Sequence, residues 1–533
     1  MRKIYINGNI YTFNLQKPHV QSVVIENGRF VDMGETDEII LQWNRPSTVV
    51  IDLEGFTVTP GLIDSHLHLS MIADQSMNLN LTGVTSKQEM LDRIKERAAQ
   101  LQPNQWLIGG GWDEHLFTNG SIPTLTELDH VAPANPLLIS RICQHAAIVN
   151  SKALEYSHYQ PNILLPEGGS VVLDETTNQP TGLFLDTAIN LIKQHIPDHP
   201  YESWKNAMRN TIMYAMERGL TSVHSNDPLY LGGLEQTWKI YDELLNKEQL
   251  GLRTNLLINH EFFDELRELG MYTGYGNDTL QIGAVKIFAD GAFGKRTALL
   301  SEPYSDKPNH FGEAMYSQEQ LYEIIKKARN LDMPVAVHTI GDQALKNILD
   351  LLDRFPPVSY RDRLIHTQVV NDYLIKRLIN RSRTVDIQPR FVASDFPWVE
   401  KRLGKKRIQY SYNWRTLIEA GVQCAGGSDS PIEPIDPILG IHAAVTRKKP
   451  GEIHQGYQPN QKLSMVQAFQ LFTEFAAYPT NEEDQKGTIA RGKLADMTVF
   501  SADPFQMKDA DELLPMKIVM TIIGGEIKYR RNV

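Results

Sequence analysis

Cysteine is nearly absent. The 533-residue chain carries two, Cys143 and Cys424. They are too few and too far apart for a disulfide framework, and with no Cys-x-x-Cys there is no case for a thiolate zinc site. Both read as buried small hydrophobes, and a cytoplasmic location is expected. Long apolar runs are missing too. Nothing approaches the roughly 18 uninterrupted apolar residues of a membrane span, and Asn7-Gly8-Asn9 breaks any leader-like run after Met1-Arg2-Lys3. No block of five or six basic residues occurs, the densest cluster, Lys401 to Arg407, being short. With 53 Lys+Arg against 64 Asp+Glu the net charge is −11, which argues against a nucleic-acid or anionic-membrane surface. Gly109-Gly110-Gly111 lacks the GxGxxG spacing ahead of a helix, so no nucleotide is implied. There is no fixed-period repeat and no low-complexity tract. What remains is ordinary globular composition, 41% hydrophobic and 22% charged, and a small molecule is the expected partner.

Both chain ends read as short strands with hairpin turns. IYINGNIYTF carries Asn7-Gly8, SVVIENGRFVDMG carries Asn27-Gly28, and TIIGGEIKY carries Gly524-Gly525. Lone hairpins are not stable, so residues 1–55 and 487–533 are expected to pair into one composite β-sandwich domain. Between them, short apolar runs alternate with amphipathic stretches such as EQLYEIIKKARNL. The runs are GLIDSHLH, GLTSVHSN, LRTNLLINH, IGAVKIFAD, MPVAVHT, RLIHTQ, TVDIQP and GVQCAGGSD. Eight strand–helix units predict an α/β fold, a closed (β/α)8 TIM-like barrel over 56–486. The stretch between the first and second runs is too long for a loop. It holds strand-like WLIGGGWD and NPLLISRI and is expected to form an insertion subdomain, about 70–215, over the barrel mouth.

The strongest local chemical signal is His66-Leu67-His68 at the end of the first run. Residues i and i+2 of a strand point to one side, about 7 Å apart, so both imidazoles can face one metal. Alone, an HxH is weak, since two hydrogen-bonded structural histidines satisfy it equally. Four later runs, however, also end in metal-capable residues, namely Lys286, His338, His366 and Asp429. The C-terminal strand ends of a barrel converge on one mouth, where barrel enzymes keep their sites. Six such positions arising by chance is improbable.

HxH on strand one, Lys on four, His on five and six, and Asp on eight resembles the metal-dependent amidohydrolase superfamily. TPGLIDSHLHL (59–69), GGGWDEHLF (109–117), HAAIVNSKAL (145–154), VKIFADGAFG (285–294), HTIGDQA (338–344) and GGSDSPI (426–432) resemble its YtcJ-like branch, amidohydrolase family 3, which includes N-substituted formamide deformylase. GTIARGKLADMTVF (487–500) resembles the return strands of the family's β-sandwich. The resemblance implies that His66, His68 and Asp429 hold one divalent ion, most simply Zn²⁺, that His338 and His366 hold a second, and that Lys286 bridges them as a CO2-derived carbamate. A lysine reacts with CO2 only when neutral, which burial favours. The bland reading is that Lys286 pairs with Asp290 or another carboxylate. On the family pattern a metal-bound hydroxide attacks a non-peptide amide, formamide or cyclic amide, with Asp429 as catalytic proton shuttle.

Weaker candidates for substrate contact are His224 at the end of the second run, His145, and Trp112 after the three glycines. Those glycines permit either close approach of a ligand or merely a tight turn. His260 ends the third run and is a lesser bet. A mononuclear deaminase, or a lactone or ester hydrolase, could use the same site. A metal-free, non-catalytic scaffold is the remote alternative, because all six ligand positions are intact. A homodimer is the default assembly for such an enzyme.

Overall fold

The computed structural model describes residues 2–117, 120–143, 145–379 and 382–532. It divides into two units, 1–71 with 208–533, and 72–207. Among the described residues no helix is long and apolar enough to cross a membrane.

The first unit holds an eight-stranded, all-parallel sheet. Its strands are β1 (Leu62–Leu67), β2 (Leu220–Ser225), β3 (Arg253–Asn259), β4 (Leu280–Phe288), β5 (Val335–Thr339), β6 (Asp362–His366), β7 (Arg383–Ile387) and β8 (Cys424–Gly426), each hydrogen-bonded to the next in sequence. All eight expected runs are strands. Nearly every residue of β1, β2, β3, β6 and β7 is buried, as both faces of a parallel barrel require. The intervening amphipathic stretches form helices. The run after β4 becomes Gln318–Asn330, started by a capping box in which Ser317 and Gln320 satisfy each other's backbone N–H groups.

The barrel closes between β8 and β1 outside the regular ladder. Asp429 N–H donates to the His66 carbonyl at 2.8 Å, and His68 N–H donates to the Ser430 carbonyl at 2.8 Å. Gly427 makes this approach possible. A Cβ there would lie 2.7 Å from His66 N and 3.0 Å from its carbonyl oxygen, closer than backbone atoms tolerate.

The chain ends form two sheets. One has four strands, in the order Arg29–Gly34, Ser22–Glu26, Arg2–Ile6, Val49–Asp52. The other has six, in the order Glu526–Arg530, Ile518–Ile523, Met497–Phe500, Thr57–Pro60, Asn9–Tyr11, His19–Val20. Their shared core joins Tyr5, Val23, Phe30 and Val58 from one end of the chain to Met497, Val519 and Ile522 from the other. Asn27-Gly28 and Gly524-Gly525 turn hairpins, both residues of each pair having positive φ, as tight hairpin turns demand. Asn7-Gly8 does not. The strands on either side of it lie in different sheets, and the left-handed Asn7 (φ 55°) bends the chain from one to the other.

The second unit is built on a six-stranded sheet in the order Ser170–Leu173, Pro180–Leu185, Ala146–Val149, Leu137–Arg141, Leu107–Trp112, Leu79–Asn80. One hydrophobic cluster contains Trp112, Leu137 and Ile148, and another contains Trp106, Leu138 and Phe184. The glycine triplet makes neither a ligand loop nor a tight turn. It lies within a strand, where a Cβ on Gly109 would meet the Leu79 carbonyl at 2.6 Å and one on Gly110 the Ser140 carbonyl at 3.1 Å.

Candidate metal centre

The C-terminal ends of β1, β4, β5 and β6 and the turn after β8 bring six side chains together. The period of two on β1 aims His66 and His68 the same way, with ring centroids 5.2 Å apart. Each presents Nε2 to Asp429 Oδ1 at 3.4 Å. His68 is oriented by donating from Nδ1 to the Asn226 carbonyl at 2.8 Å. The His366 ring lies 5.9 Å from that of His66 and 4.5 Å from that of His338. His66, His366 and Asp429 each offer a ligand atom within 4.8 Å of the other two.

Strand alternation does not account for His366. Arg363, two strand positions from Ile365, crosses the barrel to the Ser65 carbonyl and pairs with Asp386, so the inward face of β6 is that of Arg363 and Ile365. His366 is brought to the cluster by a left-handed backbone, φ 75°, followed by Thr367 at φ 47°. Asp429 is left-handed as well, at φ 55°. Such conformations cost a non-glycine residue ~1–2 kcal/mol and concentrate at functional sites.

Burial and neighbouring charge set the protonation states. Burial, then Lys286, hold His66 well below its ordinary value, and burial with His366 and Lys286 does the same to His338. His366 falls to about 4, chiefly through burial. These imidazoles are therefore neutral at pH 7, the form that ligates metals. Burial works to raise the Asp429 carboxyl, but its interactions with His68, His366 and Lys286 outweigh it, leaving it lowered and ionised. Lys286 is pushed down to about 7, first by burial. Its Nζ donates to His66 Nε2 at 3.0 Å, and it stands 4.8 Å from the Phe288 ring. No carboxylate among the described residues lies within 4.0 Å of it. Asp290 is not its partner, because that carboxylate accepts the backbone N–H groups of Leu299, Ile340 and Gly341.

The donor set fits a divalent ion. With bonds of about 2.1 Å, two ligands of a tetrahedral ion stand ~3.4 Å apart, which is the separation of Asp429 Oδ1 from both β1 imidazoles. His338 donates from Nε2 to the Gly291 carbonyl at 3.0 Å, leaving Nδ1 as the nitrogen available to a ligand.

The substrate-contact candidates are placed elsewhere. Trp112 packs in the hydrophobic core of the second unit, 2% exposed, with its Nε1–H donated to the Ile139 carbonyl at 3.3 Å. Neither ring face nor polar atom is left for a ligand. The strand-like reading of WLIGGGWD holds, and its glycines serve strand packing rather than a ligand. His145 is exposed in the second unit, its Nδ1 2.8 Å from Asp186. His224 is fully buried on β2, on the same strand face as Ser222, whose hydroxyl accepts from the buried Lys486 ammonium at 2.9 Å. It has no open face for a substrate, and neither ring nitrogen has a hydrogen-bond partner. His260 meets the Tyr316 hydroxyl at 2.9 Å. Three groups that hold the imidazoles were missed in the sequence. Two, at Asn226 and Gly291, are backbone carbonyls and carry no side-chain signal. The third, Gln388, accepts from His366 Nδ1 at 2.8 Å and lies next to the last residue of the run TVDIQP.

A parallel barrel with metal-capable side chains converging at its C-terminal strand ends is an arrangement suited to metal-dependent hydrolysis. Residues 49–529 match the amidohydrolase family. The chain is 40% identical over 534 residues to the putative amidohydrolase YtcJ of Bacillus subtilis (strain 168), covering 100% of both. It is 24% identical over 551 residues to N-substituted formamide deformylase of Arthrobacter pascens, covering 99% of this chain and 98% of that one. An uncharacterized metal-dependent hydrolase from Pyrococcus furiosus superposes with a TM-score of 0.80 at 29% identity, covering 95% of this chain and 100% of the other. The chain belongs to the amidohydrolase family. It is a hydrolase acting on carbon–nitrogen bonds, and the family implies a divalent metal.

Proposed function

We propose that the enzyme hydrolyses a non-peptide amide of a small molecule, an N-acyl or N-formyl amine or a cyclic amide, with Asp429 as proton shuttle. The observation that carries this reading is the position of the Asp429 carboxylate, ionised and 3.4 Å from the Nε2 atoms of both His66 and His68. The name of the deformylase relative points the same way. A divalent ion, Zn²⁺ in this proposal, held by His66, His68 and Asp429, with a second beside His338 and His366, would supply Lewis acidity toward water and the substrate carbonyl. Asp429 takes the proton that water loses as its oxygen bonds to the carbonyl carbon. It returns that proton to the nitrogen as the C–N bond breaks, so amide and water become a carboxylic acid and an amine, the acid's own proton being released at neutral pH. Lys286, buried and without a carboxylate partner, is the residue we assign to carbamate formation. Its neutral amine bonds to the carbon of CO2 and releases one proton, turning a nitrogen base into an anionic oxygen ligand.

The test is metal analysis of protein purified without chelator, together with hydrolysis of a panel of N-formyl and N-acyl amines by wild type and D429N. The expected result is that D429N keeps metal better than activity, with kcat lower by about 10²- to 10⁴-fold. Full activity in D429N would refute the shuttle. Ammonia released without a carboxylate product would replace amide hydrolysis with deamination.

A further inference from the structure

Three of the imidazoles at the barrel mouth, His68, His338 and His366, are anchored in two different ways. His68 and His338 donate to backbone carbonyls, those of Asn226 and Gly291. A backbone carbonyl can only accept, so no substitution changes the tautomer it selects. His366 is anchored by a side chain. β7 lies between β6 and β8 and ends in no metal-capable residue; directly after it comes Gln388, which is 1% exposed.

The Gln388 amide cannot be turned over freely. Its Nε2 donates to the Asp386 carbonyl at 3.3 Å and its Oε1 accepts from His366 Nδ1 at 2.8 Å. Reversed, the amide would set its oxygen against the Asp386 carbonyl, two acceptors with no hydrogen between them. Oε1 is thus held as an acceptor at Nδ1, and an acceptor there requires the proton on Nδ1. A neutral imidazole protonated at Nδ1 carries its lone pair on Nε2. The ring is confined as well as oriented. Phe391 lies parallel to it within 8°, with centroids 5.9 Å apart.

We propose that Gln388 is a positioning residue that fixes His366 as its Nδ1–H tautomer, so that Nε2 is always the nitrogen presented to a divalent ion. This rests on the reading of His366 as a metal ligand, given above. Outer hydrogen-bond partners of ligating histidines commonly set both tautomer and affinity, and losing one typically costs 10- to 100-fold in metal binding.

The test uses the full-length protein with wild-type, Q388E and Q388L sequences and two readouts. The first is the tautomer of His366 in metal-free protein, read by ¹⁵N NMR of histidine-labelled samples. Wild type and Q388E, both with an acceptor at Nδ1, should show one Nδ1–H species, and Q388L a mixture. The second is Zn²⁺ affinity by competition with a chromophoric chelator. Q388L should bind about 10- to 100-fold more weakly, with Q388E restoring affinity toward wild type. A merely structural role for Gln388 would lower the thermal midpoint without redistributing the tautomers. An unchanged tautomer in Q388L overturns the proposal, as does unchanged affinity. If Q388L does not fold, Q388M, of nearly equal length, carries the same comparison. If wild type binds no Zn²⁺, the metal reading fails, while the tautomer readout still decides the role of Gln388.

Discussion

Substituting Gly427 by alanine tests whether barrel closure sets the metal geometry. A Cβ at 427 would sit 2.7 Å from His66 N, 3.0 Å from the His66 carbonyl oxygen and 3.0 Å from Asp64 Oδ1. Two of these three atoms are backbone and cannot swing away. Restoring an ordinary contact requires β8 to retreat from β1 by about 0.7 Å. Two quantities then change together. The Asp429 N–H to His66 carbonyl hydrogen bond, 2.8 Å in the structure, stretches to about 3.5 Å, the limit of a hydrogen bond. The Asp429–His66 separation, 3.4 Å in the structure, opens to about 4.1 Å, past the ~3.4 Å edge of a tetrahedral site. Overpacking of this kind costs about 1–3 kcal/mol, and the displaced ligand should weaken metal binding by at least about tenfold. The assay is chelator competition for Zn²⁺ alongside thermal unfolding. G294A is the control, because a Cβ there meets nothing within 4 Å and its φ is not positive. Wild-type metal affinity in G427A would refute the reasoning.

Three further outcomes are expected. Burial raises the Asp395 carboxyl to about 6, against the hydrogen bonds from Tyr412 and Gln368. Between pH 4 and 6 the folded state therefore binds more protons than the unfolded one, and stability falls as pH rises, by up to about 3 kcal/mol; D395N should remove that slope, with its advantage present at pH 7 and gone by pH 4, as read from thermal midpoints across pH. Arg253 and Asp496 form a buried bidentate pair, Nε–Oδ2 2.6 Å and Nη2–Oδ1 2.9 Å, so D496N should cost about 3–5 kcal/mol by leaving the guanidinium unpaired, and an R253M/D496L double variant should cost less, both measured by denaturant unfolding. W112A should destabilise the second unit by about 3–5 kcal/mol, and limited proteolysis should begin within 72–207; an intact, fully stable W112A would reopen the substrate-contact reading.

The barrel was legible because each of its strands is a short apolar run bounded by turn residues, and because the HxH spacing matches the period of a strand. What escaped was set by backbone or by tertiary packing. Nothing local to RLIHTQ shows that His366 adopts φ 75° and so joins the cluster from a strand whose alternation would exclude it. Gln388 escaped because an amide is not a metal ligand, although it directly follows β7 beside His366 at the end of β6. The strand at 107–112 is legible, but its glycines suggest a ligand approach or a tight turn where the sheet needs them for close strand packing. Asn7-Gly8 has the composition of a hairpin and is a crossing between sheets, a choice made by partners far along the chain.

The sheet that unites the two ends of the chain places a burden on its synthesis. Thr57–Pro60 pairs with Met497–Phe500, roughly 440 residues later. A ribosome adding about 5–20 residues each second needs on the order of half a minute or more to supply that partner. Throughout that interval the hydrogen-bonding edge beside Val58 has no neighbour and the apolar faces of Tyr5 and Phe30 have no Met497 or Ile522 to cover them. The nascent chain leaves the tunnel with a sticky, unfinished half-sheet, which makes its first sixty residues the natural footing for a holding chaperone and a hazard in any prematurely ended product.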